Sequence, residues 1–179
     1  KMQLDLERRE EGFGLGGNYV DPSTPLVYVS SYTDYNVLAH TPKGTEGKGI
    51  YVLSLNTEKE ELNSTGWIVA ESNPNPAFMR WCDETKTMYV VNERIDQDGK
   101  VFAYMMDKCG RLIPTGEVDA AGRSTCYICR DRSGKWALVT NYWNATISVV
   151  RLHPNGELGS IVDVQRRPGY EYCQTRHPD

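Results

Sequence analysis

Three stretches of this chain restate one another at near-regular spacing, and that repetition limits the folds open to it more than any other feature. VYVSSYT (Val27 to Thr33), MYVVNER (Met88 to Arg94) and LVTNYWN (Leu138 to Asn144) are each a short apolar segment ending in polar or aromatic residues. A second apolar segment follows each one: GIYVLSL (Gly49 to Leu55), KVFAYMM (Lys100 to Met106) and TISVVRL (Thr146 to Leu152). A third comes next, in ELNSTGWIV (Glu61 to Val69), RLIPTGEVD (Arg111 to Asp119) and ELGSIVDV (Glu157 to Val164). The intervening NTEKE, DKCG and HPNG carry the Asn, Asp, Gly and Pro that tight hairpins require. A further strand, in PAFMRWCDETK (Pro76 to Lys86) and STCYICRDRSGK (Ser124 to Lys135), is expected to close each complete unit.

Asn92 and Asn141 lie 49 positions apart, and Leu112 and Leu158 lie 46 apart. A four-stranded repeat of that length is the length of one β-propeller blade. IYVLSL and VFAYMM are apolar at both alternating positions, as expected of sheets sandwiched between other sheets. The expected fold is therefore all-β, with about three blades of four antiparallel strands at 25–86, 87–135 and 136–164, the last incomplete. Residues 1–24 read as an extended or partly disordered lead-in, Asp34 to Lys48 as an insert in the first hairpin loop, and 165–179 as a loop-like tail. Opening at Lys1 instead of Met reads as a chain with residues upstream. Propellers close with four to eight blades, so three leave bare apolar faces that missing blades or other protein chains are expected to cover.

Composition excludes several classes. The 179 residues are 39% hydrophobic and 25% charged, a globular balance, and the net charge of −4 gives no basic field for nucleic acid. No apolar run approaches the length of a membrane span, and KMQLDLERREEGF lacks the apolar centre of a secretory signal. Five irregularly placed cysteines suggest reduced thiols and a cytoplasmic or organellar location over secretion, against which stand two sequons at Asn63 and Asn144. Cys126 and Cys129 form a CxxC, but on a strand residues three apart point to opposite faces, and no second CxxC completes a zinc site. Neither metal nor organic cofactor is expected.

The strand ends carry a resemblance. VYVSSYT with KGIYVLSLNTEKEEL, then NPAFMRWCDETKTMYVVNE, then STCYICRDRSGKWALVTNYWNATISVVRL resemble, in order and spacing, the opening blades of the lactonase family of seven-bladed β-propellers, which includes 6-phosphogluconolactonases. The resemblance implies a sugar lactone, with or without phosphate, opened by water attack at the central channel. The sequence departs from the family pattern at YCQTRHPD, where Gln174 and His177 match a Gln and the first of two histidines but Asp179 replaces the second. Trp143 and Asn144 replace the usual glycine after Asn-Tyr.

In a propeller, equivalent strand ends converge on one axis, so Tyr32, Asn92, Glu93, Asn141 and Tyr142 are expected to cluster. Lactone hydrolysis needs a base for water, donors for the oxyanion and an acid for the leaving alkoxide. Glu93 is the candidate base, and His177, from the family motif, the candidate acid or base. Asn92 and Asn141 are candidate oxyanion donors, Tyr32 and Tyr142 line the pocket, and Arg130 is a candidate for a substrate phosphate, with Arg132 and Arg176 as alternatives. Each has a structural reading beside it: turn bonding for the asparagines, packing for the tyrosines, solvated surface for Glu93, His177 and Arg130. A second function stands beside hydrolysis, that of a shortened, inactive propeller serving as a structural or protein-interaction subunit.

Overall fold

The computed structural model describes residues 20, 23–69, 73–108 and 110–166. Eleven strands form three antiparallel sheets among these residues. The first holds β1 (Leu26–Ser30), β2 (Ile50–Asn56) and β3 (Glu61–Val69); the second β4 (Pro76–Cys82), β5 (Thr87–Asn92), β6 (Lys100–Met106) and β7 (Leu112–Asp119). The third holds β8 (Thr125–Arg130), β9 (Trp136–Asn141), β10 (Thr146–Leu152) and β11 (Leu158–Arg166). Strands within each sheet follow chain order, because every connection is a hairpin. The only helical segment described is a 3-10 turn, Tyr35–Val37, in the 34–48 insert.

The middle sheet shows why its strands are apolar at successive positions. Side chains alternate faces along a strand. Tyr89 and Val91 of β5, with Val101 and Ala103 of β6, pack against Ile128, Ala137, Val139 and Val150 of the third sheet. Met88, Val90, Phe102 and Tyr104 fill the opposite seam with Ile50, flanked by Tyr28 and Val69 of the first sheet. All six residues of β5 are buried. The sheets thus stack face to face, with β4 and β8 in contact at one end of the stack and β7 and β11 at the other.

The blade boundaries differ from those expected. Strand β4 does not close the first unit; it opens the second, pairing with β5 from Pro76↔Asn92 to Cys82↔Thr87, and β8 likewise pairs with β9. The breaks expected at Lys86 and Lys135 therefore fall inside hairpins. The reason is local: four residues, 83–86, turn β4 into β5, and Lys86 takes the left-handed φ of 52° that the tight turn needs. No pairing joins β4 to β3. Among the described residues the first sheet, not the third, is thus three-stranded, and Gln165 and Arg166, expected in the tail, are the last residues of β11. All of the 1–24 lead-in except residues 20, 23 and 24 lies outside the described residues.

Candidate functional site

The corrected phase makes the repeat sharper. Asn75 and Ser124 hold equivalent posts, each the residue before a β4-type strand, each fully buried, at φ of 53° and 52°. The Asn75 carbonyl accepts from the Glu93 amide at 2.9 Å, and the Ser124 carbonyl accepts from the Tyr142 amide at 2.9 Å. Glu93 and Tyr142 are therefore the same position in two successive sheets, and Tyr32 lies two residues past the end of β1 in the first sheet.

Tyr32 and Glu93 meet. The Tyr32 hydroxyl donates to Glu93 Oε2 at 2.5 Å, and the Ser124 hydroxyl donates to Glu93 Oε1 at 2.7 Å. One half-buried carboxylate thus joins all three sheets. Partial burial, then the hydrogen bond and charge of Glu93, hold the Tyr32 phenol well above its ordinary range, so it stays a donor. Cys126 lies beside this carboxylate on β8, its thiol raised by burial first and by Glu93 second. Asn75 secures the neighbouring loop: its Oδ1 accepts from the amides of Thr33 and Asp34, both at 2.7 Å, and its Nδ2 donates to the Asp34 carbonyl at 2.6 Å.

Asn92 and Asn141 take a different place. They are 1% and 0% exposed, buried at the ends of their strands. Asn92 Oδ1 accepts from the Lys100 amide at 2.6 Å, closing the β5–β6 loop. Asn141 Nδ2 donates to the Ala120 carbonyl and to the hydroxyls of Thr146 and Ser148, and its Oδ1 accepts from Thr125 Oγ1 at 2.8 Å. Gly122 makes room for it, since a Cβ there would sit 2.5 Å from Asn141 Nδ2. The expected convergence of all the strand-end residues is thus corrected: short amide side chains at the last residue of a strand reach the adjacent loop backbone before they reach the axis.

Tyr142 is 55% exposed at the third sheet's end. Arg130 lies at the opposite end of β8 from Ser124, about 20 Å from it at the usual rise per strand residue, and pairs with Glu84 at 3.0 Å. It belongs to a different surface from Glu93. His177, Gln174 and Arg176 lie outside the described residues. Ser124, Asn75 and Cys126 were missed in the sequence; aligning the residues before β4 and β8 would have found the first two. Among the described residues no three His, Cys, Asp or Glu side chains are grouped to hold a metal, and Cys126 and Cys129 are free thiols.

A Glu93 carboxylate offers about four lone-pair directions, and two hydroxyls occupy one on each oxygen. The remaining directions carry no hydrogen bond among the described residues, and the two hydroxyls fix the carboxylate in position.

Comparison with known proteins bears on this geometry. The family described as lactonase, seven-bladed beta-propeller, matches residues 26–178. A 6-phosphogluconolactonase of Formosa agariphila is 27% identical over 137 residues, covering 75% of this chain and 36% of that protein. A crystal structure of a candidate 6-phosphogluconolactonase from Bacteroides fragilis is similar at a TM-score of 0.65 and 25% identity, over 85% of this chain and 39% of that one. The periplasmic gluconolactonase of Pseudomonas aeruginosa shares the fold at a TM-score of 0.64 and 21% identity, over 78% of this chain and 38% of its own. This chain therefore spans well under half the length of these relatives.

Proposed function

The chain belongs to the lactonase family of seven-bladed β-propellers, and on that premise we propose that it supplies the Glu93 part of a site that opens a sugar lactone, such as gluconolactone or its 6-phosphate, by water attack. The observation that carries this reading is the Tyr32–Glu93–Ser124 contact, which holds a carboxylate at the inner ends of three stacked sheets. In this reading Glu93 takes a proton from the attacking water, Tyr32 and Ser124 fix its orientation, and His177 supplies the acid or base of the family motif. Orientation of this kind lowers the barrier by removing the reorganisation otherwise needed when the proton moves. The relatives named for 6-phosphogluconolactone or gluconolactone supply the substrate class.

The experiment is hydrolysis of δ-gluconolactone and of 6-phosphogluconolactone by the purified, complete native polypeptide. Acceleration over buffer supports the proposal; a folded protein giving only the buffer rate ends it.

One observation favours a second reading. Both oxygens of Glu93 are engaged by neighbouring sheets, and Leu138 and Ile147 stand exposed on the outer face of the third sheet. A structural or protein-interaction subunit would need both the clamp and the uncovered face. That reading predicts a large protein interface on the Leu138–Ile147 face, and a monodisperse folded monomer of this chain would count against it.

A further inference from the structure

At the opposite end of the seam between the second and third sheets, a cavity of about 250 Å³ opens beneath the β4–β5, β8–β9 and β10–β11 turns. Cys82, Glu84, Tyr89, Arg130, Arg132 and His153 are among its lining. The turns are locked in place. The Tyr89 hydroxyl donates to the Gly156 carbonyl at 2.8 Å, and Gly156 lies so close to the β4–β5 hairpin that a Cβ would sit 2.2 Å from Thr87 Oγ1. Asp131 ties the β8–β9 turn by accepting from Ser133 and from the Lys135 and Trp136 amides. His153 and Arg132 are therefore carried over the cavity by rigid turns.

Among the described residues, Glu84 is the one carboxylate residue lining this cavity, beside Arg130, Arg132 and His153. Glu84, 76% exposed in its side chain, engages Arg130 Nη1 at 3.0 Å and the Cys82 thiol at 3.1 Å through one oxygen. Arg130 Nε is buried and has no hydrogen-bond partner among the described residues. The Arg132 guanidinium and the His153 ring also have no partner among the described residues. One carboxylate thus faces two guanidiniums and an imidazole, and a buried N–H is left unpaired where burial makes that costly.

We propose that this cavity binds a small tetrahedral oxyanion of the phosphate class, held by the guanidiniums of Arg130 and Arg132 and by His153, and bridging the second and third sheets. The three donors arise from a strand end and two separate turns, so they approach from three directions. A tetrahedral oxyanion has oxygens to meet all three, whereas a carboxylate has two in one plane. The site is separate from Glu93, at the other end of β8, and does not depend on lactone hydrolysis.

The test is thermal unfolding of the complete polypeptide in rising inorganic phosphate, against chloride at matched ionic strength, for the native protein and for Arg132→Gln and His153→Gln. Both substituted positions are exposed turn residues, so these variants keep the fold. The expected result is a saturable rise in midpoint with phosphate, an apparent affinity at least fivefold weaker in each variant, and no change from native in Glu93→Gln. A second arm adds a sugar monophosphate. If it competes with phosphate, the site reads a phosphoryl group on a larger molecule; if only inorganic phosphate binds, the cavity takes the free anion. A rise that chloride reproduces, or one that both variants retain unchanged, overturns the proposal.

Discussion

The Tyr32 hydroxyl lies 2.5 Å from Glu93 Oε2, although 61 positions separate the two residues in the chain. They lie past strand ends of adjacent sheets, so the bond reports on how the sheets stack as well as on the carboxylate. A hydrogen bond to a charged group contributes about 1.5–3 kcal/mol. In a double-mutant cycle of Tyr32→Phe and Glu93→Ala, measured by urea unfolding, the coupling energy is expected to fall in that range. Additive effects within error would mean that the two side chains do not interact in solution.

Asn141 is a structural residue by its partners. Asn141→Ala removes four hydrogen bonds at a fully buried post and leaves the Thr125 hydroxyl without its acceptor there. The expected loss is about 2 kcal/mol, read as a lower denaturant midpoint with little change in slope. Gly122→Ala presses on the same amide and is expected to cost about 1–3 kcal/mol.

Cys126 offers a chemical readout of the Glu93 charge. Burial and the neighbouring carboxylate raise its thiol, so the folded protein holds this proton more tightly than the unfolded chain does. The contribution to stability is complete below the ordinary thiol range and falls away as pH rises through the raised value. At pH 8 Cys126 is expected to alkylate more slowly than an unfolded-state thiol, and Glu93→Gln to speed that alkylation by lowering the thiol toward its usual range. Mass spectrometry of the labelled Cys126 peptide distinguishes this from no change.

Much of the architecture was legible because it repeats. Alternating apolar positions in VFAYMM and the matching hairpin turns were enough to identify stacked antiparallel sheets, and the middle sheet buries both faces as its pattern requires. The phase of the repeat was not legible. A strand such as Pro76–Cys82 is equally apolar whether it ends one sheet or begins the next, and only the pairing with Thr87–Asn92 decides it. At the strand ends, Tyr32 and Glu93 meet because their side chains are long enough to cross between sheets. Asn92 and Asn141 share the same chemistry on paper, but a short amide one residue earlier binds the nearest backbone, Asn92 at the start of β6 and Asn141 in the link between β7 and β8. Arg130 was misplaced for a simpler reason: six residues along a strand carry a side chain to the other side of the fold.

The proposed role of Glu93 is tested most directly by comparing lactone hydrolysis in native protein and Glu93→Gln, with the melting temperature recorded for both. Glutamine keeps the shape, its carbonyl accepting from one of the Tyr32 and Ser124 hydroxyls and its N–H donating to the oxygen of the other, but it cannot take a proton from water. The expected result is at least a tenfold fall in hydrolysis of δ-gluconolactone or its 6-phosphate with a nearly unchanged melting temperature. Equal rates in two equally folded proteins would contradict it and leave Glu93 as a clamp between sheets.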